Sequence, residues 1–460
     1  MKYLFNFLFA VVIITATYAQ PGTLDNSFGD DGKVLGQGFM VSEANAIAIQ
    51  QDGKIIACGG GGYGNQGGFL LIRYNPDGSV DSSFGDAGRV VTDFSGPIDD
   101  AYGVVVQPDG KILAAGQVGR NIDAGVIRYL PNGKPDSTFG INGIAITELL
   151  GGDDYVSSMV LQPDGKILVT GTQKTKYAFT IRYLPNGSLD ESFGDNGKVL
   201  TFFDNVSEIS SIAVQPDGKI VTAGIYDIYG FTQMLLIRYT ANGILDKGFG
   251  AGGIVKMKFI TGYQMSGLNG IILQSDGKIV VAGGTYQQYD IFMALARFES
   301  NGMPDLSFGN EGKVITDFKR NVSEAKAVLL QPDGKIVATG SVSDYVGTNS
   351  IFALARYKTD GSLDSSFGTD GLQTTYMEGN AQSYASVLQE DGKIILLGDS
   401  YIYPQGSTLA LARYNGGKLN NLPEFAKIQK WQGHYGFTWN SWPGKKTTYY
   451  SVGRSTNASS

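Results

Sequence analysis

One block of sequence is written seven times along the chain, and that repetition limits the fold more than any other feature. The Phe of "SFG" stands at Phe28, Phe84, Phe139, Phe193, Phe249, Phe308 and Phe367. The Asp of "DGK" stands at Asp52, Asp109, Asp164, Asp217, Asp276, Asp333 and Asp391. An Arg followed by Tyr or Phe recurs at Arg73, Arg128, Arg182, Arg238, Arg297, Arg356 and Arg413, and a Gly closes the strand after each "DGK". A period of roughly 53–59 residues marks a supersecondary unit that buries its apolar faces only by stacking on its neighbours.

Each period contains four short strand signals separated by turn residues. In the second copy "AYGVVVQ" runs in, "PDG" turns, "KILAAG" returns and "AGVIRY" runs out. "LPNGKPDSTFGING" then connects to "IAIT" as the fourth strand. The "PDG" turn suits a type I turn followed by a left-handed residue, where Gly carries positive φ at little cost. Gly is abundant, 65 of 460 residues, and is placed at fixed offsets rather than in a low-complexity tract. Four antiparallel strands per unit, repeated radially, describe an all-β β-propeller; a parallel β-helix has shorter coils and lacks these hairpin turns. The chain opens on the tail of a unit, "TLDNSFGDDGKVLG", and its last unit ends at "LALARYNGGKLNN" without an "SFG". The strand at Lys33–Leu35 is therefore expected to complete the last unit beside Leu409–Tyr414, giving seven blades with no unpaired edge between the ends.

The pattern "A-x-x-V-x-x-Q-P-D-G-K-I-x-x-A-G … A-L-x-R-Y-x-x-D-G-S-L-D-x-S-F-G-x-x-G-K-V" resembles the delta-60 repeat family of exported bacterial β-propellers. The resemblance runs from Thr23 to about Asn421. It implies the propeller fold and supplies no activity. The lettering is also similar to NHL-type propellers, which implies that the strand before the "DG" turn is innermost and the "GKV" strand outermost.

The ends of the chain read differently. "MKYLFNFLFAVVIITATYAQ" has a lone Lys, an apolar run from Tyr3 to Ile14 and small residues leading to Ala19. Residues 1–19 are expected to be a secretory signal cut before Gln20, because the apolar run is short for a bilayer span. Residues 20–421 form the propeller. Residues 422–460 alternate around a "WPGKK" turn and resemble the opening strands of a fibronectin-like sandwich, too few for a core of their own. A secreted or cell-surface protein follows, without a membrane span after cleavage.

Charge and composition exclude several classes of function. A net charge of −7 argues against nucleic acid, which needs a basic footprint. The single His, His434, lies beyond the repeats, so no Ser-His-Asp or Cys-His arrangement and no His-based metal site forms among them. There is no calcium loop of the D-x-D-x-D-G type and no Walker motif. "GGGGYGNQGG" at Gly59–Gly68 is a propeller loop rather than a phosphate cradle, and Cys58 replaces the Ala, Thr or Leu of other copies as a small buried hydrophobe.

The turn "QPDGK" and the loop "RYxxDGxLDxSFG" share one face, nearly identical in every unit; the other connections share the opposite, variable face. A ligand without matching symmetry has no use for seven copies of a site, so the repeated loop reads as a joint. Its Phe fills apolar space between blades, and its Arg is expected to pair with the Asp of "LD" (Asp25, Asp81, Asp136, Asp190, Asp246, Asp305, Asp364). On the variable face, counting seven or eight residues back from the Gln that ends each innermost strand gives Glu43, Asp100, Asp154, Glu208 and Glu324, with Gly267 and Gln382 in the remaining places. These carboxylates are expected to ring the channel mouth, solvated or bonded to adjacent blades. No cofactor is expected, although a divalent cation is compatible with that ring.

The variable loops also carry Tyr226, Tyr229, Phe231, Tyr286, Tyr289, Tyr345, Tyr401 and Tyr403. Tyr presents a flat apolar body with a polar tip and suits recognition of an extracellular glycan, peptide or protein; packing of loop on loop is the alternative. Three functions stay open: a non-catalytic binding scaffold, a carbohydrate hydrolase or lyase using Asp100, Glu208 or Glu324, and a structural spacer of a larger exported protein.

Overall fold

The computed structural model describes residues 19–36, 41–61, 67–96, 99–174, 176–204, 206–228, 231–259, 264–344, 348–404 and 406–417. Among these residues the chain is all β, without helix. The expected signal sequence to Tyr18 and the segment from residue 418 onward lie outside the described residues.

The short first strand is β1 (Lys33–Leu35). A first unit follows with β2 (Val41–Ile49), β3 (Ile55–Gly61), β4 (Gly68–Tyr74) and β5 (Arg89–Thr92). The second has β6 (Asp100–Val106), β7 (Ile112–Val118), β8 (Asp123–Tyr129) and β9 (Ile144–Thr147). The third has β10 (Asp154–Leu161), β11 (Ile167–Gln173), β12 (Tyr177–Tyr183) and β13 (Lys198–Phe202). The fourth has β14 (Val206–Val214), β15 (Ile220–Ile228), β16 (Phe231–Tyr239) and β17 (Ile254–Met257). The fifth has β18 (Gln264–Leu273), β19 (Ile279–Gln287), β20 (Asp290–Phe298) and β21 (Lys313–Thr316). The sixth has β22 (Val322–Leu330), β23 (Ile336–Ser343), β24 (Ile351–Tyr357) and β25 (Leu372–Thr375). The last has β26 (Asn380–Leu388), β27 (Ile394–Ile402) and β28 (Gly406–Tyr414).

Within each unit consecutive strands pair antiparallel, and β1 pairs with β28 through Lys33↔Ala412, Val34↔Leu411 and Leu35↔Ala410. A single parallel bridge, Ile291↔Val322, links the fifth and sixth units. The first strand of each unit packs on its counterparts before and after it, and β2 packs on both β6 and β26. The "DGK" turns take the expected left-handed Gly, with Gly53 at φ 83°.

The core lies between adjacent units. Phe84 is fully buried with Ala46, Ile56 and Leu71 of its own unit and with Val104, Ile112 and Tyr129 of the next. Phe28 does the same between the two ends of the chain, among Ile47, Ile55, Ile395 and Leu411. All seven of these Phe are sealed from solvent, as expected of an aromatic wedge.

Candidate functional site

The repeated loop is a joint, and its chemistry is the same in every unit. In six units the Arg lies on the third strand with its Asp eight residues on in the loop that follows, whereas Arg413 takes Asp25 from before β1; the Lys stands at the end of the "DGK" turn. Arg Nε stands 2.6–2.9 Å from Asp Oδ2 in all seven copies. The Lys adds a second cation at 2.8–3.3 Å from the same oxygen. The guanidinium lies over the "SFG" Phe ring at 4.4–4.8 Å. Its Nη1 reaches forward to a backbone carbonyl of the following unit: Arg73 to Pro131, Arg128 to Pro185, Arg356 to Gly416, Arg413 back to Pro76. A planar fork suits this work, since it stacks, pairs with a carboxylate and donates sideways at once. Gly85 shows why the loop is so tightly specified: a Cβ there would lie 2.0 Å from the Arg89 carbonyl, and its N–H donates to Asn132 of the next unit.

Seen from the innermost strands, the carboxylates on the variable face form a less regular set than a ring. The residue just before the one facing the closing glycine is Glu43, Asp100, Tyr155, Glu208, Gly267, Glu324 and Gln382 in successive units. A uniform count of seven residues back from the terminal Gln yields this register. Asp154 sits one step outside it, opposite Gln173. The expectation that Asp154 joins the other four is therefore corrected: one residue of slip sends a strand side chain to the opposite face of the sheet. Asp154 is fully buried, and Tyr155 takes the place assigned to it.

The remaining members divide as follows. Glu324 is engaged within the protein, since its Oε2 accepts from Lys326 Nζ at 2.8 Å and its Oε1 from Asn269 Nδ2 at 3.1 Å. It occupies the room left by Gly267, where a Cβ would stand 2.7 Å from Glu324 Oε1. Glu208 is buried and Asp100 half-buried. The side chain of Glu43 lies outside the described residues. Among the described residues no three Asp, Glu, His or Cys side chains form a metal-holding group.

A belt of polar side chains, overlooked in reading the sequence, stitches the inner strands together. Each innermost strand carries a β-bulge two residues after the register position. There Asn45 donates to the Ala101 carbonyl at 3.1 Å, Asn269 to Ala325 at 2.6 Å, Ser157 to Ile209 and Ser210 to Leu268. Every one of these acceptors belongs to the next unit. The signal was present as a polar residue inside an otherwise apolar strand, as in "SEANAIAI" and "SGLNGIIL".

The aromatic candidates separate by exposure. Tyr226 is half-buried, its ring against Phe203 and beneath Lys256 Nζ at 3.5 Å, so it packs one loop on another. Phe231, Tyr286 and Tyr401 are exposed, and Tyr289 and Tyr403 stand 75% and 84% open to solvent. Tyr229 and Tyr345 lie outside the described residues. The hairpins that bear the exposed rings are also the long ones. In the fourth, fifth and last units the second and third strands run nine residues each, against seven in the first three units. Two further residues lift a hairpin tip by about 7 Å.

Repeated four-stranded antiparallel sheets around inner strands that pack on one another define a β-propeller. Six stretches, residues 50–84, 107–139, 162–193, 215–249, 274–308 and 331–367, match the family model described as a β-propeller domain of unknown function (DUF5122). These six stretches are repeats of that family, which is of the delta-60 type. No curated protein matches the sequence. Similar solved structures include an unknown-function protein from Dyadobacter fermentans, at 10% identity over 86% of this chain and 98% of that one, TM-score 0.41. Polysaccharide lyase Uly1 aligns at 11% identity over 86% and 97%, TM-score 0.46. The β-propeller domain of the Trilobed protease from Pyrococcus furiosus aligns at 13% identity over 84% and 99%, TM-score 0.42.

Proposed function

We propose that the chain is an exported, non-catalytic binding scaffold: a seven-bladed ring, closed by β1 on β28, that takes an extracellular glycan, peptide or protein on its variable face. One observation carries the reading. Exposed aromatic rings gather on the elongated hairpins of the fourth, fifth and last units, while the opposite face repeats a single structural joint. Rigid aromatic side chains lose little entropy on contact and bury much area, which favours them at binding surfaces. The engagement of Glu324 by Lys326 and Asn269 favours binding over acid–base chemistry at the channel mouth.

The test is binding of the whole chain to arrays of glycans, peptides and cell-wall fragments, repeated with Tyr286→Ala, Tyr289→Ala, Tyr401→Ala and Tyr403→Ala. Saturable binding that weakens at least tenfold in these variants, with unchanged melting temperature, supports the proposal. Binding indifferent to all four changes, or none to any class, sinks it.

A further inference from the structure

Asp99 and Asp154 are equivalent residues, each one step before the register position of its unit, and the structure treats them differently. Asp99 is a conventional loop clamp. Its Oδ2 accepts from Phe94 N at 2.9 Å and Gly96 N at 3.1 Å, and its Oδ1 from Gly119 N at 2.7 Å. Asp154 keeps only the first of these bonds, from Leu149 N to Oδ2 at 3.2 Å. Its Oδ1 is sealed from solvent without a hydrogen-bond partner.

The chain segments paired with Asp154 carry acceptors without partners too. Gln173, directly opposite and fully buried, donates Nε2 to the Gly151 carbonyl at 3.2 Å, which leaves its Oε1 unpartnered. The bond from Asp154 N to the Ile122 carbonyl, 2.7 Å, brings the second unit's hairpin alongside, and there Asp123 Oδ1 is also buried and unpartnered. Three buried acceptors without a partner at one junction are a costly arrangement. One positive particle removes the shortage. A proton on one of these oxygens turns an acceptor into a donor.

We propose that Asp154 holds a proton on Oδ1 and donates it to Gln173, making the junction of the second and third units a pH-operated latch beneath the variable face. Three carboxylates favour the neutral acid at Asp154: Asp123 on β8, Glu148 after β9, and Asp153 on its own loop. Asp153 takes the Tyr155 hydroxyl at 3.0 Å, and Lys198 Nζ is spent on the Glu148 carbonyl at 3.1 Å. Lys174 lies over Gly152, where a Cβ would stand 3.1 Å from its Nζ. Tyr183, on β12, gives its hydroxyl to Thr147. Burial first, and then these acidic neighbours, push the Asp154 carboxyl up to about 7 against the one opposing bond from Leu149 N. Because the folded value lies above the unfolded one, the latch contributes stability at low pH and loses it as pH rises through about 7. Ionisation then leaves a buried carboxylate among acidic groups, and the loop at 149–153 with the hairpin end at 119–123 is what loosens.

The experiment compares the intact chain with Asp154→Asn, whose amide is a permanent donor in the same place. Melting temperature is followed from about pH 5.5 to 8.5, with hydrogen exchange of 119–123 and 149–153. A wild-type melting temperature that falls with pH, exchange that rises in those two segments, and flat behaviour of the Asn variant support the latch. Parallel pH profiles of the two proteins overturn it. So does restoration of the wild type at high pH by millimolar calcium chloride, which would put a metal ion where the proton is proposed. Should the variant not fold, the wild-type infrared spectrum decides. A protonated-carboxyl carbonyl band at pH 6 that vanishes by pH 8 supports the latch, and its absence at pH 6 overturns it.

Discussion

Arg413 Nε donates to Asp25 Oδ2 at 2.7 Å across 388 residues of chain, with the geometry that Arg182 and Asp190 achieve across eight. Arg413 also stacks on Phe28 and donates to the Pro76 carbonyl of the first unit. The two ends of the chain thus reproduce, atom for atom, a joint that is local everywhere else.

Removing the cation from such a joint strands a buried carboxylate and breaks the contact between units. Arg182→Met and Arg413→Met are each expected to lower unfolding free energy by about 3–5 kcal/mol in urea titrations. Only the Arg413 change should speed hydrogen exchange in β1. Lysine in either place restores the charge without the planar fork and recovers only part of the loss.

Acid should unfold the protein through these same carboxylates. Burial alone would raise Asp136, Asp190 and Asp364, yet the hydroxyls beside them and their Lys and Arg partners outweigh it and hold each at about 2. Folded values below the unfolded one mean that the stabilisation is complete above roughly pH 4. It disappears as pH falls towards about 2. Circular dichroism against pH should show a cooperative loss in that window, and Asp190→Asn should flatten part of it.

Core and rim aromatics should respond in opposite ways. Phe84→Ala opens a cavity between the first and second units and should cost about 3–5 kcal/mol. Tyr289→Ala and Tyr403→Ala, at exposed hairpin tips, should stay within about 0.5 kcal/mol of wild type. Calorimetry on the three variants separates the two roles.

Glu324 offers a test of what the inner carboxylates do. Glu324→Gln deprives Lys326 of its ion pair at 2.8 Å and should destabilise by about 1–3 kcal/mol. Ligand binding at the hairpin rim should be unchanged, as measured by titration calorimetry with whichever ligand the arrays identify.

Much of this molecule was legible along the chain because the joint needs its residue types. A guanidinium that must stack on Phe, pair with Asp and donate to a carbonyl accepts no substitute, so Arg, Asp and Phe recur with little change. The strand count per unit and the turn glycines follow for similarly local reasons. Asp154 was not legible. An eight-residue count and a seven-residue count look alike in letters, while the pleat of the strand sends them to opposite faces of the sheet. The belt of Asn45, Ser157, Ser210 and Asn269 was hidden for a related reason, since each bond runs to a carbonyl more than fifty residues away.

By itself, then, the sequence determined the repeating unit, its joint and the rings on its variable loops, all products of chemistry within one period. Only the tertiary structure decided which hairpins stand tall, which carboxylate is sealed away from water, and which unit each polar side chain grips. Those outcomes depend on register and on contacts between units, and neither is written in any single repeat.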